Sequence, residues 1–115
     1  MSIALESEVN WLQSLSAADR ARFFASLSHG LTVAVRVLCH SDADAKEALE
    51  AVRQLNEAHH RVAGYLTHIQ GGSEDTAWLR AVTSYAITPE LPAVRQQAHQ
   101  AWQHARALIE GGSAA

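Results

Sequence analysis

A single cysteine, Cys39, stands in the 115-residue sequence, so no disulfide can form within the chain and nothing points to an oxidising compartment. Basic charge is sparse as well. Lysine and arginine total 9 against 12 aspartates and glutamates, a formal net charge of −3, and the arginines are scattered along the chain. A phosphate-backbone grip needs a dense basic stripe, so nucleic acid is not an expected partner. Long apolar runs are missing too. The most apolar stretch, Leu31 to Cys39, is broken by Arg36 and falls far below the roughly 20 residues of a membrane span. The opening MSIALESEVNW carries two glutamates and no lysine or arginine, unlike the basic start of a secretory signal. A cytoplasmic protein is therefore expected. No run of β-branched residues with period two suggests a strand.

What is present is a globular composition, 48% hydrophobic and 18% charged, in a chain able to bury roughly two-thirds of the surface its unfolded form exposes. Neither an internal repeat nor a low-complexity linker divides it, which predicts one domain over residues 1–115. Apolar spacing and turn signals predict an all-α fold of five helices, at about 3–15, 17–40, 42–70, 74–87 and 90–110. Leu5, Val9 and Leu12 stripe the first. Ser16 reads as the cap of the second, with Asp19 in its positively charged first turn; Phe24, Leu27, Leu31, Ala34 and Leu38 follow as its stripe, and Gly30 marks close packing or a kink.

Ser41 or Asp42 caps the third helix, whose stripe Ala48, Val52, Leu55, His59, Val62, Leu66, Ile69 holds a heptad-like rhythm up to Gly71-Gly72. Roughly 28 residues make it about 42 Å long. Ser73, Glu74 and Asp75 open the fourth helix, Pro89 and Pro92 bracket the start of the fifth, and Gly111-Gly112 ends it before a frayed tail. The second and third helices form a long antiparallel hairpin covered by the three shorter ones. Many seam positions are alanine, which removes little area from water at each contact; a second copy of the chain supplying more cover, as a homodimer, is the expected result. Trp11, Trp78 and Trp102 fall on three different helices and read as core filling, whereas an exposed tryptophan points to a binding surface.

The chemical signals are modest. His59 interrupts an apolar stripe and needs a hydrogen-bond partner there, or acts as a polar selector across a dimer seam. Glu57 and His60 form Glu-x-x-His, the helical spacing that offers a carboxylate and an imidazole to one metal, but Glu57 is also spaced to pair with Arg61. Arg22, His29 and Arg36 recur every seven residues on one face of the second helix, away from its apolar stripe. No nucleophile elbow and no phosphate loop are present, and Cys39 reads as packing. Seven histidines would carry the net charge from −3 to +4 if all were protonated, which bears on solubility.

Phe23-Phe-Ala-Ser-Leu-Ser-His29-Gly-Leu-Thr resembles the phosphoacceptor helix of sensor-kinase dimerisation domains. Gly30 and Val33 replace that family's acidic neighbour and its polar assistant, and no nucleotide-binding domain follows. His60-Arg-Val-Ala-Gly64 is similar to histidine-phosphotransfer bundles, whose glycine four residues on clears space for the ring. These likenesses imply a phosphotransfer or docking role for His29 or His60. Arg61 with His68, and Arg53 with His59, resemble the arginine-histidine spacing of HEPN-type ribonucleases, and Arg61 with His68 is the better pair. Over most of the first four helices, Arg20-Ala-Arg22-Phe23, His29-Gly-Leu-Thr32 and Leu55-Asn-Glu57-Ala-His-His60-Arg61 resemble an uncharacterised family of small all-helical bacterial proteins, a resemblance that implies a fold and no activity. The expectation is a non-enzymatic, homodimeric interaction or regulatory module that binds another protein, with no cofactor and no resident metal. Histidine phosphotransfer is the alternative and HEPN-like RNA cleavage the third reading.

Overall fold

Ser16 begins the element on which the fold is built. Its side-chain oxygen accepts the Asp19 N–H at 3.1 Å and its carbonyl accepts the Arg20 N–H at 2.9 Å, which satisfies donors that a helix start leaves open. In the computed structural model, which describes residues 4–39, 45–70, 76–89 and 91–112, five helices follow in chain order: α1 Leu5–Ser14, α2 Ala17–Cys39, α3 Ala45–Gln70, α4 Thr76–Ile87 and α5 Pro92–Gly112. No strand occurs among the described residues. The caps expected at Ser41 or Asp42, the corner at His40, the Gly71-Gly72 stop, the Ser73–Asp75 start and the frayed tail lie outside the described residues, as do the side chains of Leu38 and Cys39.

Two helices, α1 and α5, are bounded differently from the sequence expectation. Leu15 leaves α1 in an extended conformation (φ −81°, ψ 154°) and turns its N–H back to the Leu12 carbonyl, so α1 ends one residue early. The last helix starts at Pro92 and runs through Gly112. Proline at a first helical position loses no bond it would have made, and a glycine costs a helix about 1 kcal/mol without forbidding it.

Helices α2 and α3 run antiparallel: Phe24 meets Tyr65, and four residues later along α2 Ser28 meets His59, six residues earlier along α3. Helix α5 lies against α2 at the glycine. A Cβ on Gly30 would stand 2.9 Å from the Ala101 Cβ, so the expected close approach is real and α5 is its partner. Helix α4 packs on α3 and α5, and α1 crosses α4. At 26 residues, α3 is about 39 Å long and sets the long dimension of a molecule 42 × 29 × 22 Å in extent.

All five helices meet in one run of rings. Trp11 of α1 sits edge-on to Phe23 at 5.3 Å, Phe23 to Phe24 at 5.1 Å and to Trp102 of α5 at 4.8 Å; Phe24 reaches Tyr65 of α3 at 5.0 Å, and Tyr65 reaches Trp78 of α4 at 6.3 Å. Each edge-to-face pair contributes about 0.5–1.5 kcal/mol beyond the area it buries. Trp102 is fully buried and Trp11 half-buried, as core filling requires, but Trp78 departs from that expectation and is 38% exposed.

Two helix ends are closed by side chains from elsewhere. The buried Arg20 guanidinium donates from Nη1 to the Leu12 and Leu15 carbonyls at 3.1 and 2.7 Å, placing a cation on the negative end of α1. His99 Nε2 donates to the Ile87 carbonyl at 2.8 Å and closes α4. Arg106 ties α5 to α1 by bonding Glu8 at 2.7 Å and lying 4.4 Å from the centre of the Trp11 ring. Burial pulls its pKa down, but the hydrogen bond to Glu110 and the charge of Glu8 outweigh that and hold it above the usual arginine value.

Candidate functional site

Two sevenfold spacings meet between α3 and α4. Arg61 and His68 lie two turns apart on α3, Tyr85 and Trp78 two turns apart on α4, and the antiparallel packing puts each cationic or imidazole group on a ring. The Arg61 guanidinium carbon lies 4.5 Å from the centre of the Tyr85 ring, and its Nη2 donates to the Tyr85 hydroxyl at 3.3 Å. The His68 ring stacks on Trp78 at 4.1 Å between centroids, tilted by 41°. Tyr85 and Trp78 keep 44% and 38% of their surface exposed. Between the two ring pairs, helical spacing places Ala81 of α4, which is exposed, and Gly64 of α3, where an added Cβ would meet nothing within 4 Å. The result is an outward strip with a ring pair at each end and small residues between them.

At its Tyr85 end the strip opens into a cleft of about 460 Å³ lined by Arg53, Gln54, Glu57, Ser84, Tyr85, Thr88 and Pro89. The charges here are already paired. Arg53 donates to both Glu50 oxygens, at 3.0 and 2.6 Å, Gln54 donates to the same carboxylate at 3.2 Å, and Arg61 meets Glu57 at 3.3 Å. The hydrogen bonds from Arg53 and then Gln54 hold the Glu50 carboxyl down at about 2, well below its ordinary 4.5. Gln54 also accepts the Leu91 N–H at 3.4 Å, so this clamp reaches the start of α5.

The residues singled out in the sequence are not gathered into one centre. His29 is exposed on α2, where its neighbour Arg22 pairs with Asp19, and His60 is exposed on the outer face of α3. Glu57, the other half of Glu-x-x-His, is engaged by Arg61, and no group of three histidine, cysteine, aspartate or glutamate side chains able to hold a metal occurs among the described residues. Arg61 and His68 do share a face of α3, but each is laid against its own ring of α4. His59 spans the α2/α3 seam half-buried, its Nε2 hydrogen-bonded to the Ser28 hydroxyl at 2.9 Å, which supplies the partner that its place in an apolar stripe required.

The strip itself was missed in the sequence. Its signal was present as matched sevenfold spacings, Arg61/His68 and Trp78/Tyr85, but only the pairing of α3 with α4 shows that the two belong together. No described helix is long and apolar enough to cross a membrane. Among known proteins, the chain matches no family model, no curated protein and no solved structure.

Proposed function

We propose that this chain is a non-enzymatic helical interaction module that works as a homodimer and binds another protein through the α3/α4 strip. The observation that carries the reading is the outward exposure of Trp78 and Tyr85 on one face of α4, each backed by a group from α3. Tryptophan, tyrosine and arginine are the residues that most often anchor protein interfaces.

Self-association is supported by the opposite flank, where Gly30 and Ala101 bring α2 and α5 together. Helical spacing around that contact places Ser26, Val33 and Val37 of α2 beside Gln97, His104 and Leu108 of α5, without a carboxylate, lysine or arginine. Val33, Val37 and Leu108 are 43%, 50% and 47% exposed. Arg95 and Arg106 of α5 turn instead toward Pro89 and α1. A solvated helix face ordinarily carries charge, so a patch without carboxylate, lysine or arginine at these six positions, with Arg22 and Arg36 exposed at its rim, fits a second copy. Replacing Val33 and Leu108 together by glutamate leaves the described core intact and is expected to halve the mass measured by light scattering, with the helical circular dichroism unchanged. A double variant that keeps the mass of the native chain contradicts this assignment of the flank.

A phosphotransfer reading has one observation in its favour: His29 and His60 are both exposed, with Gly64 open one turn beyond His60. Incubation with a phosphorylated response regulator would yield an acid-labile phosphohistidine, visible by phosphorus NMR and removed by His29→Gln or His60→Gln; its absence counts against that role.

A further inference from the structure

The strip between α3 and α4 also limits what can bind it. Its two exposed rings, Trp78 and Tyr85, are seven helical positions apart, a rise of about 10.5 Å along α4. A polyproline II chain advances about 3.1 Å per residue and so repeats every three residues at about 9.3 Å. The two periods match to about 1 Å. Between the rings stand the exposed Ala81 and Gly64, where an added Cβ would meet nothing within 4 Å, so no bulky side chain intervenes, and the cleft beyond Tyr85 adds a proline ring of its own, Pro89, and the hydroxyl residues Ser84 and Thr88.

Charge narrows the choice further. Arg53 and Arg61 are matched within the strip by Glu50 and Glu57, so a highly charged ligand would have to displace an existing pair. A chain without net charge displaces none. Polyproline II has no internal hydrogen bonds and presents bare carbonyls, and the Tyr85 hydroxyl and the Arg61 guanidinium stand at the strip as donors. Aromatic-lined grooves take such chains because the extended helix is already ordered before binding.

We infer that the α3/α4 strip binds a proline-rich, extended segment of another protein, with Trp78 and Tyr85 gripping ring positions one polyproline turn apart. This rests on the interaction-module reading and names the chemistry of its partner. The test is a titration of the isotope-labelled full chain with a decaproline peptide, with a glycine-serine decapeptide as control, followed by NMR. The expected result is saturable binding of decaproline that moves the Trp78 indole, Gly64, Ala81 and Tyr85 signals, weakens about fivefold or more in Trp78→Ala and in Tyr85→Ala with the helical circular dichroism retained, and disappears in Ala81→Glu, whose exposed site leaves the melting temperature unchanged. No binding at millimolar peptide, equal binding of the control, or binding that survives Ala81→Glu overturns it. If the same signals move on dilution of the native chain alone, the strip is covered by a second copy: the proline-rich partner is then wrong while the interaction reading survives. A chain that is monomeric yet binds decaproline as described separates the two the other way.

Discussion

Gly30 shows how little room a single position can leave. A methyl placed there would stand 2.9 Å from the methyl of Ala101, and neither group has a torsion by which to move aside. Overpacking of this kind costs about 1–3 kcal/mol, against about 1 kcal/mol gained in helix propensity. Gly30→Ala is therefore expected to lower stability by about 1 kcal/mol in urea unfolding, and Ala101→Gly added to it should recover part of the loss; a more stable single variant would mean that α2 and α5 are not held together at this point. Arg20 is the reverse case, a buried cation that holds the carbonyls of Leu12 and Leu15 at the end of α1. Hydrogen bonds to a charged group contribute about 1.5–3 kcal/mol, so Arg20→Met, which keeps the stem, should cost about 2–3 kcal/mol and release α1 first, seen as faster hydrogen exchange over Leu5–Ser14. Glu50 makes stability depend on pH. Its folded pKa, about 2, lies below the ordinary 4.5, so its contribution is complete above pH 4.5 and is lost as the pH falls toward 2. A carboxyl titration by NMR should place its midpoint near 2, and Arg53→Met should return it toward 4.5.

Among the elements, the start of α2 is the part that sequence and structure describe in the same terms. Ser16 caps it and Asp19 lies in its first turn; Ser16→Ala is expected to cost about 1 kcal/mol, measurable by thermal unfolding, and a neutral result would assign the start of α2 to packing alone. The five helices and their buried faces were legible for a related reason, since apolar spacing and capping act within a few residues of each other. The place of His59 in an apolar stripe announced that it needed a partner, and Gly30 announced a close approach. What was not legible depends on pairs far apart in the chain: Arg106 with Glu8, Arg61 with Tyr85, His68 with Trp78. Trp78 in particular looks like core filling in the sequence because its own helix says only that it is apolar and periodic. Its exposure is decided by α3, which meets the ring with Tyr65 and His68 but leaves 38% of the residue exposed. Gly111-Gly112 signals a stop because glycine disfavours the helix, yet α5 runs through both glycines.

For the whole molecule, two flanks of different character follow from the same bundle. The α2/α5 side has an uncharged centre, built on small residues at its closest point, while the α3/α4 side carries exposed rings with internally matched charges. The proposed module uses both, pairing with itself on one flank and holding a partner on the other. The most direct measurement is the solution mass of the native chain by sedimentation equilibrium across a wide range of concentrations. The expected result is about twice the chain mass of 12.5 kDa, dissociating only on strong dilution; a single species at the mass of one chain throughout would contradict self-association.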